Sequence, residues 1–154
     1  MANSNAKDDA IKILMADHKK VKAAFKQFEE LGDKAFVSKK KLADEICMEL
    51  LVHTQVEEEI LYPVFVKNIK KEKPLVNEAV VEHSSAKVLI GEILDMKGDE
   101  ELFDARVKVL SEYIDHHVKE EEKEMFPLMR SADIDLVAVG SQIKERKQQL
   151  MVAG

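Results

Sequence analysis

The sequence predicts an all-α protein: an up-down-up-down four-helix bundle with a short additional C-terminal helix, in a single domain. Charged residues make up 35% and apolar residues 45% of the 154 positions, whereas aromatic residues make up only 5%. Only five glycines and three prolines interrupt the chain, which favours long helices over short strands. Apolar residues also recur every three or four positions, the spacing of a buried helical face. We expect the bundle over about 8–130 and the C-terminal helix over about 133–152, around one core.

The first two helices are predicted from apolar stripes and from residues that start or stop helices. Helix 1 is expected from about Asp8 to Leu31, because Gly32 follows as a C-terminal stop. Ser38 is expected to be the N-cap of helix 2, and Pro63 to end or kink that helix. The inward stripe of helix 1 is Ile11, Leu14, His18, Val21, Phe25 and Phe28. That of helix 2 is Leu42, Ile46, Leu50, His53, Glu57 and Ile60.

The remaining helices are predicted in the same way. Pro74 is expected to open helix 3, which stops at Gly98, and Asp99 is expected to cap helix 4, which reaches Pro127. The stripe of helix 3 is Val76, Val80, His83, Ala86, Ile90 and Ile93. A further helix is expected from about Asp133 to Val152, but its apolar stripe is weak, so its placement stays open.

Charge and composition exclude several classes of partner. The net charge is −6, and no basic cluster is interleaved with aromatic residues, so we expect no nucleic-acid partner. Met1 to Ala10 lack the apolar segment of a secretory signal, and no apolar run approaches the ~20 residues of a membrane span, so no membrane partner is expected. Cys47 is the single cysteine, which excludes an internal disulfide and is compatible with a reducing cytoplasm, the location we expect.

An internal repeat carries the candidate chemistry. The segment from His53 to Pro63 aligns without a gap on the segment from His117 to Pro127, and both read HxxxEExx followed by an apolar residue, an aromatic residue and proline. The dipeptide Asp17-His18, with a lysine four residues after the histidine, likewise matches Glu82-His83. The chain therefore resembles one helical hairpin used twice, in which each half contributes a histidine and then HxxxE.

The repeat predicts a dinuclear metal site. Residues i and i+4 share a helix face, and the helix lengths place the repeated groups in one layer of an antiparallel bundle. The six candidate ligands are His18, His53, Glu57, His83, His117 and Glu121. Without metal, such a buried layer would cost several kcal/mol in unpaired polar groups, and a cation removes that cost. Imidazole and carboxylate donors without thiolate suit iron, manganese or zinc, and carboxylates from opposite helices can bridge two ions.

Several neighbouring residues have alternative interpretations. His116 with Glu120 offers another register, but the alignment through Pro127 favours His117 with Glu121. Glu58 and Glu122 lie about 100° around the helix from the candidate carboxylates, which favours solvent or interhelix charges over ligands. Residues that could either support the ends of the site or lie at the surface are Glu49, Tyr113 and Glu124. The lysines that recur in the repeat, expected at the bundle surface, are Lys22 and Lys87.

Taken together, these motifs resemble the hemerythrin family, over about Asp9 to Arg130. The resemblance implies that Glu57 and Glu121 bridge two iron ions that also share an oxo or hydroxo bridge. It further implies that one iron is held by His18 and His53, and the other by His83 and His117. Oxygen-carrying members have a fifth histidine where this sequence has Lys87, so the resemblance implies a symmetric site with an open position on each iron.

The sequence supports more than one function for such a site. The first is binding of, or reaction with, a small ligand: oxygen, nitric oxide or hydrogen peroxide. The second is enzymatic consumption of peroxide, which the lysine in place of a fifth histidine favours. The third is iron storage or sensing of iron itself. Whether the protein is an enzyme, and its oligomeric state, stay open.

Overall fold

The computed structural model describes residues 8–153, and these form a bundle of five helices without strands. Met1 to Lys7, part of the segment expected to lack a secretory signal, lie outside the described residues. Helix α1 is Ala10–Glu29, α3 is Lys73–Asp95 and α5 is Leu136–Ala153. Helix α2 comprises Phe36–Val56, a π-helical turn Glu57–Leu61, and Tyr62–Asn68; α4 comprises Phe103–Glu120, a π-helical turn Glu121–Met125, and Phe126–Ser131. The all-α prediction is confirmed, and none of these helices is apolar enough over a sufficient length to cross a membrane.

The first four helices pack as two antiparallel hairpins. Helix α1 packs on α2 and α3 on α4, and the hairpins meet through α2 against α3 and α1 against α4. Two apolar clusters fill the interior at opposite ends of the bundle. One contains Leu14, Leu61, Phe65, Met125, Met129 and Ile143. The other contains Phe25, Phe28, Ile90, Ile93, Phe103 and Leu110. The layer of buried polar residues lies between them, so apolar packing encloses it from both ends.

The helix termini confirm some of the expected signals and not others. Pro74 lies in the first turn of α3, as predicted. Ser38 was wrongly expected to cap α2, since it lies inside the helix, whose N-cap is Ala35. The prediction that Asp99 caps α4 was also wrong, because that helix begins after Leu102. Both helices start without a side-chain hydrogen bond at the cap, so tertiary packing rather than capping sets these boundaries.

The prolines of the repeat do not end their helices, so of the two alternatives expected at Pro63, an end or a kink, the end is wrong. Pro63 and Pro127 each lie in the first turn of the α-helical segment that follows a π-helical turn. In a regular α-helix, proline lacks the N–H of the ladder and clashes with the carbonyl four residues earlier. In the π-helical turn, backbone N–H groups bond to the carbonyl five residues earlier instead of four. Helices α2 and α4 therefore continue past the proline for a further turn or more.

The C-terminal helix packs along α1 and α2 rather than at one end of the bundle. Ile143 is fully buried, and a Cβ added at Gly140 would lie 2.9 Å from the backbone nitrogen of Ala10. Glycine at this position therefore permits the close approach of the C-terminal helix to the start of α1. One residue of the predicted stripes, Val80, is 39% exposed, and its neighbour Ala79 is buried instead, because the buried face steps by three residues from Val76 and then by four to His83.

Candidate metal centre

The structure brings the six predicted ligands together in one buried layer, each at most 7% exposed. They form two quartets, within each of which one ligand atom per residue lies within 4.8 Å of all the others. The first quartet is His18, His53, Glu57 and Glu121. The second is His83, His117, Glu57 and Glu121. Both carboxylates thus belong to both quartets, the arrangement that two bridging carboxylates require.

Helix geometry explains how the side chains converge. His53 and Glu57 are four residues apart on α2, and His117 and Glu121 are four apart on α4, so each pair shares a helix face. Each π-helical turn begins at the glutamate of its pair. The backbone N–H of Tyr62 consequently bonds to the carbonyl of Glu57, which brings the residue five positions later onto the glutamate's face.

In the first quartet, ligand atoms face one another without forming hydrogen bonds. His18 Nε2 lies 3.1 Å from Glu121 Oε1, and His53 Nε2 lies 3.1 Å from Glu57 Oε2. Within residues 8–153, all four of these buried atoms lack a hydrogen-bond partner of acceptable geometry. Buried polar atoms are nearly always paired, and leaving four unpaired is costly. Two imidazole nitrogens and two carboxylate oxygens with this arrangement fit a metal cation.

In the second quartet, a phenol lies among the ligand atoms. Tyr62 Oη lies 2.8 Å from Glu121 Oε2, to which it donates a hydrogen bond, and 3.2 Å from both Glu57 Oε1 and His83 Nε2. The repeat places Phe126 at the equivalent position of the first quartet, where its ring stacks on His18 with centroids 5.9 Å apart. The two quartets contain equivalent ligands, but one hydroxyl group distinguishes their surroundings.

Four further carboxylates surround the layer, and we call them the outer carboxylate ring: Asp17, Glu58, Glu82 and Glu122. Each one bonds to the Nδ1 of the histidine on the next helix around the bundle. The Nδ1-to-oxygen distances are 3.0 Å for His53 with Asp17, 2.7 Å for His83 with Glu58, 2.7 Å for His117 with Glu82, and 2.8 Å for His18 with Glu122. Because Nδ1–H donates outwards, the Nε2 atom of every histidine faces the interior, the orientation that metal ligation requires.

The outer carboxylate ring was not predicted from the sequence, although the repeat contains an acidic residue beside the ligand in each of these four places. Asp17 and Glu82 directly precede the first histidine of each half, and Glu58 and Glu122 directly follow the candidate bridging glutamates. The last two were expected to be solvent or interhelix charges, and they are interhelix partners of His83 and His18. The missing information was which helices are neighbours, since every one of these bonds joins different helices.

The other residues considered from the sequence lie outside the buried layer. His116 has a 70% exposed side chain and pairs with Glu120 at 3.0 Å, so the alternative register faces outwards. Lys22 pairs with Asp115 at 3.8 Å, and Lys87 bonds to Glu58 at 3.2 Å, so both lysines extend to the surface as expected. Residues that do not support the ends of the site are Glu49, which bonds to Lys20, and the exposed Tyr113 and Glu124.

The charges of the buried layer favour binding of a cation between the histidines and carboxylates. Burial lowers the pKa of His53, but Glu57, Asp17 and Glu121 together outweigh burial and raise that pKa to about 10. Burial likewise lowers the pKa of His117, whereas Glu121, Glu57 and Glu82 together raise it to about 12. Burial raises the pKa of Glu57, whereas the surrounding histidines hold it well below its ordinary value. The buried carboxylates thus attract protons onto the imidazoles, and a metal ion must displace those protons to bind.

Comparisons with known proteins agree with this geometry. The hemerythrin HHE cation-binding domain, as a family, matches residues 9–129. No curated protein matches the chain. A crystal structure of a hemerythrin HHE cation-binding domain-containing protein from Mycobacterium kansasii superposes with a TM-score of 0.79 at 21% sequence identity, over 94% of this chain and 88% of that one. This likeness establishes a common fold. Because the family match spans most of the described residues, the chain belongs to the hemerythrin HHE cation-binding domain family.

Proposed function

We propose that the protein binds two iron ions in the two quartets and that this centre binds or reacts with oxygen, nitric oxide or hydrogen peroxide. The observation that carries the proposal is that both quartets share Glu57 and Glu121, each of which offers one oxygen to either half. A single ion would use one quartet and leave the inward-facing Nε2 atoms of the other quartet without a metal. Two ions use every inward-facing nitrogen and oxygen of the layer.

The donor set is compatible with iron. Four imidazoles and two carboxylates without thiolate suit iron, manganese or zinc. Cys47, the only cysteine, is buried in the apolar cluster around Ile90, where burial raises its pKa to about 12. It therefore supplies no thiolate to the layer. The family resemblance selects iron and adds the oxo or hydroxo bridge, and bound iron supplies one-electron redox change together with coordination positions for a small ligand.

The chain itself orients the donors and limits access of water. The outer carboxylate ring fixes the tautomer of all four histidines, so no reorganisation of the imidazoles is needed when metal binds. The apolar clusters above and below the layer exclude bulk water along the bundle axis. Helix α3 offers no fifth nitrogen ligand in this layer, because Lys87 bonds to Glu58 on the outside.

A second candidate function, consumption of hydrogen peroxide, is favoured by Tyr62. Its hydroxyl group places an O–H donor inside the ligand layer, 2.8 Å from Glu121 Oε2 and 3.2 Å from His83 Nε2. Cleavage of the O–O bond in peroxide requires a proton for the departing oxygen, and general acids positioned within hydrogen-bond reach provide one. A carrier of oxygen has no such requirement. The phenol thus supports peroxide turnover alongside ligand binding.

Anaerobic titration of metal-free protein with Fe²⁺ tests the proposal. We expect saturation at two iron ions per chain, and saturation at one would refute the dinuclear centre. The loaded protein is then mixed separately with oxygen, nitric oxide and peroxide while its absorption spectrum is recorded. A reversible spectral change with oxygen or nitric oxide supports binding, and oxygen release from peroxide supports turnover. If none of the three changes the spectrum, the small-ligand function is wrong.

A further inference from the structure

Helix α4 carries a second pair of histidine and glutamate that the buried layer does not use. His116 and Glu120 directly precede His117 and Glu121 in the chain, so the same four-residue spacing occurs twice. Consecutive residues of a helix point about 100° apart, and the second pair therefore faces α3 and the surface instead of the interior. The side chain of His116 is 70% exposed and that of Glu120 is 21% exposed. The second pair thus lies directly outside the buried layer.

Together with α3, this pair forms a group of possible metal ligands that we call the outer site: Glu82, His116 and Glu120. One ligand atom of each residue lies within 4.8 Å of the other two. His116 Nε2 lies 3.0 Å from Glu120 Oε1 and 3.5 Å from Glu82 Oε2. Among residues 8–153, neither glutamate forms an ion pair with a lysine or an arginine, and the carboxylate of Glu78 also contacts Glu120. Imidazole nitrogen and carboxylate oxygens without thiolate suit a divalent ion such as Fe²⁺, Mn²⁺ or Zn²⁺.

Glu82 connects the outer site to the buried layer. Its Oε1 accepts a hydrogen bond from His117 Nδ1 at 2.7 Å, while its Oε2 faces His116 at 3.5 Å. A cavity of about 10 Å³, which is room for one water molecule, is lined by Glu82 and Glu120 on one side and by His117 and Glu121 on the other. Glu121 Oε1 is also one of the buried atoms without a hydrogen-bond partner in the described chain. One carboxylate and one small cavity therefore separate the two groups of ligands.

The first half of the repeat shows that the fold does not require polar residues at these positions. The residues equivalent to His116 and Glu120 are Val52 and Val56, and both valines are buried. Helix α5 packs against α1 and α2, on that side of the bundle. The outer carboxylate is present in both halves, as Asp17 and Glu82, but only the second half adds an imidazole and a further carboxylate outside it.

We propose that Glu82, His116 and Glu120 form a third cation site, which captures a divalent metal ion at the surface and passes it to the buried centre. The loading role rests on the proposed function, whereas the outer site itself does not. Acidic groups of one sign raise the local concentration of cations and their rate of association. Three ligands at a partly exposed position leave the remaining coordination positions to water, so the ion is held weakly and can move on. Rotation of the Glu82 carboxylate would bring its bound ion towards the cavity beside Glu121.

Mn²⁺ binding to protein whose buried centre is already filled with iron tests the outer site, because the quartets are then closed to Mn²⁺. Electron paramagnetic resonance measures the free Mn²⁺ that remains in solution. We expect one weakly bound Mn²⁺ per chain, with an affinity that falls about tenfold or more in His116→Ala and in Glu120→Gln. Glu45→Gln is the matched control, since it removes the same charge from an exposed position on α2 and should bind Mn²⁺ like the parent.

The rate of iron uptake tests the loading role. Metal-free protein is mixed anaerobically with Fe²⁺, and a ferrous chelator added at increasing times removes the iron that the buried centre does not yet hold. We expect His116→Ala and Glu120→Gln to take up iron about tenfold more slowly than the parent, whereas Glu45→Gln should match it. Both variants should still reach two iron ions per chain, because the six buried ligands are unchanged. If one of them does not fold, the other decides the question.

The possible failures are distinguishable. Parental Mn²⁺ binding in His116→Ala and Glu120→Gln, or equal weakening in Glu45→Gln, overturns the outer site. Weakened Mn²⁺ binding together with parental iron uptake overturns the loading role. An iron content below two per chain in the parent overturns the proposed function instead. The Mn²⁺ comparison then still decides the outer site, because parent, variants and control are compared at the same iron content.

Discussion

The two hairpins carry the same three-ligand pattern in different surroundings. In the first, His18 lies against the ring of Phe126, and Asp17 is held by Lys147 of the C-terminal helix. In the second, Tyr62 lies among the ligand atoms, and the basic group outside Glu82 is the exposed His116. The two halves thus share the buried ligands and the outer carboxylates, and they differ at the position of Tyr62 and Phe126 and in the basic groups at the surface. The difference shows how one repeated unit can form two inequivalent quartets.

The largest effect is expected where the two halves share a residue. Glu57→Ala should lower the iron content from two per chain to below one, because each quartet takes one oxygen of this carboxylate. Glu58→Ala is the control, since it removes the next carboxylate along the chain but leaves both quartets intact. It should still reach two iron ions at saturation. Elemental analysis of both variants checks this, and equal losses would show that the register of the glutamates is wrong.

The pH dependence of the metal-free protein should be the next largest effect. The folded-state pKa of His53 is about 10, above the ordinary value of 6.5. A raised pKa stabilises the fold fully below about pH 6.5, and this contribution is lost as the pH rises towards 10. The Tm of metal-free protein should therefore fall across this range. Iron-loaded protein, in which neutral imidazoles bind metal, should resist the fall, and parallel curves for the two forms would contradict the prediction.

A smaller effect, on metal affinity, should distinguish the first quartet from the second. Asp17→Asn keeps the size of the side chain but removes the charge that holds His53 Nδ1 and Lys147. Loss of such a partner weakens metal binding by about 10- to 100-fold, and here only one of two ions should be affected. Competition with a chelator measures the two affinities. Glu49→Gln, outside the layer, should leave both affinities unchanged, and equal weakening of both ions in Asp17→Asn would mean that the halves are not independent.

Tyr62→Phe makes the two halves alike and should have a moderate effect on stability. It leaves buried oxygens of Glu57 and Glu121 without their hydroxyl donor, which costs about 1–3 kcal/mol in metal-free protein. Urea unfolding measures this free energy. Tyr113→Phe is the matched control, because that side chain is 46% exposed, and it should change stability by less than about 0.5 kcal/mol. Similar values for the two variants would show that the phenol has no special partner.

The smallest effect is expected at Lys87. Its Nζ pairs with Glu58, but the lysine side chain is 41% exposed. Exposed ion pairs contribute about 0–1 kcal/mol, so Lys87→Met should alter unfolding free energy by no more than this and should retain two iron ions. Iron loss in this variant would instead place the lysine in the ligand layer.

The fold class and the grouping of the six ligands in one layer could be predicted from the sequence, because duplication made the pattern recognisable. A single HxxxE carries little information, but two copies with a matching preceding histidine constrain both helix register and the level of each histidine in the bundle. The stripe residues followed from the same periodicity, apart from Val80: a step of either three or four residues from Val76 is compatible with a helix face, and the buried residue is Ala79.

What could not be predicted depends on contacts between distant segments. The outer carboxylate ring requires knowledge of which helix follows which around the bundle. The continuation of α2 and α4 past Pro63 and Pro127 requires the π-helical turns, which no local propensity indicates. The role of Lys147 in holding Asp17 depends on the path of α5, whose weak apolar stripe did not define a packing face.

The outer carboxylate ring also bears on the order of folding. Two of its four bonds, from His83 to Glu58 and from His18 to Glu122, join one hairpin to the other. Each quartet also takes one of its two carboxylates from the opposite hairpin. A separate hairpin therefore holds only three donors of a quartet, and one of its imidazoles has no partner at Nδ1. In the proposed dinuclear centre, high-affinity binding of metal would therefore require both hairpins to be docked. Separation of the hairpins would dismantle both quartets together, so both ions would be released in one step.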